Sequence, residues 1–175
     1  MSRLSREPAT GVSRPQYWCR IFAGRVDQVP LTRMFTVLLF ADLEIDHKVG
    51  FVVTELATNA VRHSRSGEHK GSFAVELLLD DLAYIGVSDL GGHGCPVVKE
   101  HSRDVPLPEN EDGRGLWAVT QMATVFGIDG NPAEGHTVWA GLDRTGQSRD
   151  NPPKVTPKHP PAGWPVPNGL PRPPS

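Results

Sequence analysis

The stretch Val52-Val53-Thr54-Glu55-Leu56-Ala57-Thr58-Asn59-Ala60-Val61-Arg62-His63-Ser64 decides how the rest of the chain is read. Val52, Val53, Leu56, Ala60 and Val61 recur at helical spacing and form one apolar stripe. Glu55, Asn59 and His63 recur every four residues and form a second stripe beside it. A carboxylate and a carboxamide one turn apart, about 6 Å along the axis, suit a hard cation and the group it activates. Taken alone, the segment fits a plain surface helix better than a site. The residues C-terminal to it reverse that balance.

Two glycine-bearing segments lie downstream. In Ile85-Gly86-Val87-Ser88-Asp89-Leu90-Gly91-Gly92, a short apolar strand delivers an aspartate at its end and glycines allow a sharp turn. In Gly113-Arg114-Gly115-Leu116-Trp117-Ala118-Val119, glycines run into an amphipathic helix with Leu116, Val119 and Ala123 on one side. Backbone N–H groups at such a start can cradle phosphate oxygens. Neither segment is specific alone. A chain with 18 glycines in 175 residues carries about two Gly-x-Gly triplets by chance, and an aspartate such as Asp89 more often caps a turn than meets a ligand. The ordered set is much harder to obtain by accident. It runs Glu-x-x-x-Asn-x-x-x-His, then Asp-x-Gly, then Gly-Arg-Gly-Leu before a helix, then Gly135-His136-Thr137-Val138-Trp139.

That ordered set resembles the Bergerat-fold (GHKL, histidine kinase-like) ATP-binding family, and within it the short bacterial serine/threonine kinases that act as anti-sigma factors. The resemblance covers roughly residues 17–143. It implies that Asn59 coordinates Mg²⁺ and that Glu55 acts on the attacking hydroxyl or water. It implies that Asp89 reads the exocyclic amine of adenine, that Gly91 leaves room for the base, and that Thr137 supports Asp89. Gly113, Gly115 and Leu116 fall at the second glycine box beside the phosphates, where Arg114 or Arg62 would help hold them. His63, one turn beyond Asn59, is placed to touch phosphate or to make a structural hydrogen bond. The first glycine box departs from the family pattern: Asp89-Leu90-Gly91-Gly92-His93-Gly94-Cys95-Pro96 has extra residues in its turn. Sensor histidine kinases precede this domain with a phosphoacceptor helical hairpin, for which the roughly 16 residues before the first strand leave no room.

Composition sets the outer bounds. Hydrophobic residues make up 38% and charged residues 22% of the chain, enough for one core. A net charge of −2 argues against a nucleic-acid partner. Cys19 and Cys95 have no metal-ligand spacing, and free thiols are expected of a cytoplasmic protein. No apolar segment succeeds the charges of Met1-Ser2-Arg3-Leu4-Ser5-Arg6, so no signal peptide is read there. The longest apolar run, from Met34 to Ala41, falls far short of a membrane span.

The coarse layout is α+β: a two-layer α/β sandwich with a mixed or antiparallel sheet and helices on one face. Residues 1–16 read as a disordered arm, 17–143 as the ATPase-like domain and 144–175 as a disordered proline-rich tail. Strands are expected over 17–23, 73–79, 82–88, 124–128 and 137–142. A helix is expected over 26–43, with Pro30 in its first turn and an inner face of Val29, Phe35, Leu38, Leu39 and Ala41. Asp46 is the expected N-cap of the Glu55–Asn59 helix. A loop covers 65–71, a lid covers 92–112, and a helix covers 114–123. Trp117 and Trp139 read as core residues rather than adenine-stacking ones. From Asn151 onward 10 of 25 residues are proline, which excludes a sheet or a long helix.

The resemblance then implies an ATP- and Mg²⁺-dependent protein serine/threonine kinase of the anti-sigma type. Its substrate would be a serine on an anti-anti-sigma (STAS-type) partner. A sigma factor is a further partner and a homodimer the implied assembly, with no direct contact to nucleic acid or membrane. A different class remains open beside it: a non-catalytic nucleotide-binding module that holds a partner in one nucleotide state. A repair or chaperone ATPase of the same fold fits less well, because no transducer domain is read after residue 143.

Overall fold

The computed structural model describes residues 15–92, 94–98 and 114–145. Five strands and three helices account for most of them. They run in the order β1 (Gln16–Ala23), α1 (Val29–Leu39), α2 (Asp46–His63), β2 (Ser72–Leu79), β3 (Ala83–Ser88), α3 (Arg114–Met122), β4 (Val125–Asn131) and β5 (Gly135–Leu142). The strands form one sheet in the order β1-β2-β3-β5-β4. Every neighbouring pair is antiparallel, which resolves the mixed-or-antiparallel expectation. The architecture is an α+β two-layer sandwich.

The register sorts the two faces of the sheet. Phe73, Val75 and Leu77 of β2 sit beside Val87 and Ile85 of β3 and then Val138 and Ala140 of β5, with Phe126 beyond on β4. These residues share one buried cluster with Val49, Val52, Val53, Leu56 and Ala60 of α2, and with Leu116, Val119 and Ala123 at α3. All three helices therefore pack on this inner face, and the apolar stripes read from α2 and α3 are the ones buried. Phe22 of β1 stacks on Phe73, with centroids 5.8 Å apart, and extends the core to the edge strand.

The expected helix over 26–43 is shorter. Val26–Gln28 form a 3-10 turn, α1 starts at Val29 with Pro30 in its first turn, and it ends at Leu39. Its inner face is also rotated from the expected one. Val29, Thr32 and Thr36 are buried, Phe35 and Leu39 only partly, while Leu38 and Ala41 face outward. The two threonines can occupy core positions because each hydroxyl donates back to a helix carbonyl: Thr32 Oγ1 to Val29 O at 2.7 Å and Thr36 Oγ1 to Thr32 O at 3.0 Å. Asp46 is the first residue of α2 rather than its N-cap, a position taken by Ile45, which is fully buried. Burial of Ile45 fixes how the chain enters the helix, and the Asp46 carboxylate accepts from the adjacent His47 N–H. β4 extends to Asn131, and the turn to β5 closes when Asn131 Oδ1 accepts the Ala133 and Glu134 N–H groups. Cys19 and Cys95 are both free.

Candidate functional site

Helix α2 carries its polar stripe along the edge of the buried one. Glu55 and Asn59 are half-buried and His63 is exposed at the last turn. Glu55 reaches α3: a Cβ added to Gly115 would collide with its Oε2, so the carboxylate lies against the Gly115 backbone in the first turn of that helix. A negative side chain is favoured there by the helix dipole. Arg114 opens α3 half-buried, and Leu116 turns into the core at 4% exposure. Gly113 lies outside the described residues, as do 99–112 and His93 of the expected lid.

The other end of α2 holds the aspartate-glycine turn. Ser64, at the helix terminus, accepts from the Ser66 N–H and donates to Ala60 O. Ser66 Oγ then accepts from the Leu90 N–H at 3.0 Å. The Arg65 N–H donates to Gly91 O at 2.6 Å, and its guanidinium donates to Leu90 O and to Ala133 O. Ser64, Arg65 and Ser66 thus bind the Asp89–Gly92 segment to the helix and to the β4–β5 turn. A sequence reading that ends the helix at Ser64 and assigns 65–71 to a loop misses them. The usable signal is a serine pair flanking an arginine directly after the polar stripe.

Asp89 is 6% exposed. Its Oδ1 accepts the Gly91 N–H at 2.6 Å and the His136 N–H at 3.0 Å. Both bonds land on one oxygen, so Oδ2 keeps its acceptor capacity. Gly91 takes φ +67°, and a side chain there would strike Pro132 O. Gly135 takes φ +118°, and a side chain there would strike Asp89 O. The glycines are needed because two turns pass within contact of each other at the carboxylate. His136 sits beside it, 3% exposed, with Nδ1 3.8 Å from Asp89 Oδ1. Its Nε2 is buried and has no hydrogen-bond partner among the described residues.

Thr137 is not the residue beside Asp89. It faces the opposite side of the sheet, where its hydroxyl meets Ser88 Oγ at 2.7 Å, and Ser88 Oγ donates to Glu76. The one-residue offset results from strand alternation: in Gly135-His136-Thr137, the residue on the Asp89 face is His136. The structure therefore joins Glu55 with Gly115, and Asp89 with Gly91, Gly135 and His136. Asn59 lies on α2 between the two groups, its carboxamide making no hydrogen bond among the described residues. Along α2, Glu55 and Ser64 are separated by about 13 Å of helix.

No cluster of three or more His, Cys, Asp or Glu side chains able to hold a metal occurs among the described residues. Mg²⁺ keeps several waters and is bound through one or two protein oxygens plus phosphates, and the Asn59 carboxamide provides such an oxygen. A shallow groove lined by Pro30, Arg33, Met34, Val37, Asp46 and His47 lies between α1 and the start of α2, apart from these groups. No described helix is long and apolar enough to cross a membrane. No protein-family model and no curated protein matches the chain.

Proposed function

We propose that this chain has the Bergerat ATP-binding fold and is a Mg²⁺-dependent protein serine/threonine kinase of the anti-sigma type. The observation that carries the reading is the contact between Glu55 and Gly115, with the Asn59 carboxamide one turn along the same helix. A carboxylate, a cation ligand and a glycine-opened helix start, all on one side of α2, are what phosphoryl transfer needs. Supporting it is Asp89, buried and fixed through one oxygen while the other can accept an amine hydrogen.

In this reading adenine enters the apolar side of the Asp89–Gly91 turn, its amine donating to Asp89 Oδ2. The phosphates extend toward α3, where the N–H groups of its first turn and Arg114 receive them. Asn59 would hold Mg²⁺ on the protein side, and the ion would supply charge neutralisation at the phosphates. The acceptor serine Oγ attacks the γ-phosphorus as the bond to the β-phosphate oxygen breaks. ADP leaves with that electron pair, and the serine proton passes to the Glu55 carboxylate. The partner is an anti-anti-sigma protein carrying the serine, with a sigma factor as the sequestered target, and the setting is cytoplasmic. Leu31, Met34 and Leu38 form an exposed apolar stripe on α1 that suits a homodimer contact.

The test is single-turnover phosphorylation of candidate partners by the wild type and Glu55→Gln. The variant keeps the shape against Gly115 and loses the base. It is expected to bind ATP normally and to transfer phosphate about 10²–10⁴-fold more slowly. Equal, non-zero rates remove Glu55 as the base. No phosphoserine in any partner, with Mg-ATP binding intact, leaves the nucleotide-dependent binding module instead.

A further inference from the structure

The sheet has two edge strands, and they differ. β4 is interrupted by Gly127 and by Gly130 at φ +99°, and it carries Asp129. Such devices discourage pairing at an edge. β1 has none of them. It contains no proline or glycine, and its eight residues pair with β2 without a bulge, from Gln16 opposite Leu79 to Ala23 opposite Ser72. Its one charge, Arg20, turns back over the rings of Phe22 and Phe35, whose centroids lie 5.1 and 5.7 Å from the guanidinium carbon. No described strand lies on its far side. The Gly24 N–H donates to Gly71 O at 2.8 Å, which continues the β1–β2 ladder. By strand alternation, Phe22, Arg20 and Trp18 then direct their N–H and C=O groups to β2, and Tyr17, Cys19 and Ile21 direct theirs outward. Six of the eight large apolar side chains exposed among the described residues fall along this edge: Tyr17, Ile21, Val26, Leu31, Met34 and Leu38. Phe35 packs on Phe22 with centroids 6.0 Å apart. Leu31 comes one turn before Phe35, so the apolar surface runs from the strand edge onto α1.

We propose that a second copy of the chain pairs here, β1 against β1 in antiparallel, about a two-fold axis at Cys19. A two-fold perpendicular to the sheet keeps each side chain on its own face, so odd-numbered residues of the strand meet odd ones and even meet even. Pairing centred on Cys19 sets Tyr17 opposite the partner's Ile21 and Trp18 opposite the partner's Arg20. The outward N–H and C=O groups of Tyr17, Cys19 and Ile21 all find partners in it. Tyr17 and the partner's Ile21, both exposed in one copy, cover each other, and the guanidinium meets an indole that attracts it. The neighbouring registers are worse. A shift one way sets Arg20 opposite the partner's Arg20, with Cα atoms about 4.5 Å apart, and like charges directly opposite destabilise. A shift the other way sets Ile21 opposite the partner's Pro15, which has no N–H to give. Self-pairing closes as a dimer, whereas β1 on a partner's β4 would repeat into an open chain. The pairing gives the homodimer of the proposed function its surface and does not rest on the kinase chemistry.

Sedimentation of the full chain should show a dimer. In the Cys95→Ser chain the two Cys19 Cα atoms would lie about 5.5 Å apart, within reach of a disulfide or a short bifunctional thiol reagent, and cross-linked dimer should form. Moving the thiol tests the register. With Cys19 and Cys95 replaced by serine, Tyr17→Cys alone places its two thiols about 13 Å apart along the strands and should not cross-link. Ile21→Cys alone should not either, and the two variants mixed should. Cys19→Pro removes an outward N–H that the β1–β2 ladder does not use, so it should fold and weaken dimerisation about ten- to a hundredfold. If it does not fold, Ile21→Lys, a change at an exposed side chain, should weaken the dimer in its place. A monomeric wild type overturns the pairing. So does a dimer that both folded variants leave intact, one in which Cys19 does not cross-link, or one in which Tyr17→Cys cross-links with itself. Mg-ATP titration of the same chains keeps the two readings apart. A monomer that binds Mg-ATP removes the pairing alone, and a dimer that binds none removes the kinase reading alone.

Discussion

Asp89 works through its two oxygens separately. Oδ1 ties the Gly91 and His136 N–H groups together, and Oδ2 keeps its acceptor capacity. Turn capping and ligand recognition, which compete as readings of an aspartate with glycines after it, are compatible once each has its own oxygen. Asp89→Asn should therefore keep the turn, because the amide oxygen still accepts both backbone hydrogens. It would present a donor where the adenine amine also donates. ATP over GTP discrimination is expected to shrink by roughly ten- to a hundredfold, the scale of one buried polar pairing. Competition titrations with both nucleotides measure it, and full retention of ATP preference removes Asp89 from base recognition. That Asp89 and Gly91 share one turn is readable in the sequence, because residue type and order carry it. The partner on β5 is not. Whether Thr137 or its neighbour faces Asp89 depends on strand register, which shifts a side chain to the other face with one residue.

At the scale of elements, α2 is the part that joins the site. It reaches α3 through Glu55 and the aspartate-glycine turn through Ser64, Arg65 and Ser66. Gly115 is a costly choice inside a helix, about 1 kcal/mol worse than alanine, yet it seats the Glu55 carboxylate. Gly115→Ala should leave thermal stability unchanged or slightly raised while displacing Glu55. Phosphate transfer is then expected to fall toward the level of Glu55→Gln. A variant with full transfer rate would show that Glu55 does not depend on this contact. The periodic stripes of α2 and α3 are legible because their buried positions are aliphatic. The inner face of α1 is misphased by its sequence because Thr32 and Thr36 hold core positions, and hydropathy alone cannot see that a hydroxyl is satisfied by its own helix.

At the scale of the whole molecule, the outer face sets a limit on alkaline stability. Burial, with the Glu76 charge as the next cause, holds the Tyr17 hydroxyl well above its ordinary value. Burial, with the hydrogen bond to Asp81 next, does the same to Tyr84. In each case the folded chain keeps a proton that the unfolded chain releases near pH 10. The stabilisation is thus complete below about pH 10 and is lost as pH rises further toward the folded values. Denaturant midpoints should fall above about pH 10, and Tyr17→Phe with Tyr84→Phe should flatten that fall. An unflattened slope in the double variant would assign it to other groups. The two-layer α+β class of the chain is within reach of the sequence. The burial of this second face is not, because Glu76 and Ser88 are polar residues whose hydrogen-bond partners lie on other strands.

Whether the groups gathered along α2 form a Mg-ATP site is tested most directly by isothermal titration of Mg-ATP into the wild type and Asn59→Ala. Asn59 makes no hydrogen bond among the described residues, so its loss should leave the protein folded. Saturable binding by the wild type, weakened by chelation of Mg²⁺, is expected, together with a loss of about 1–3 kcal/mol in the variant. No binding by the folded wild type, or equal affinity in the two proteins, would contradict the assignment.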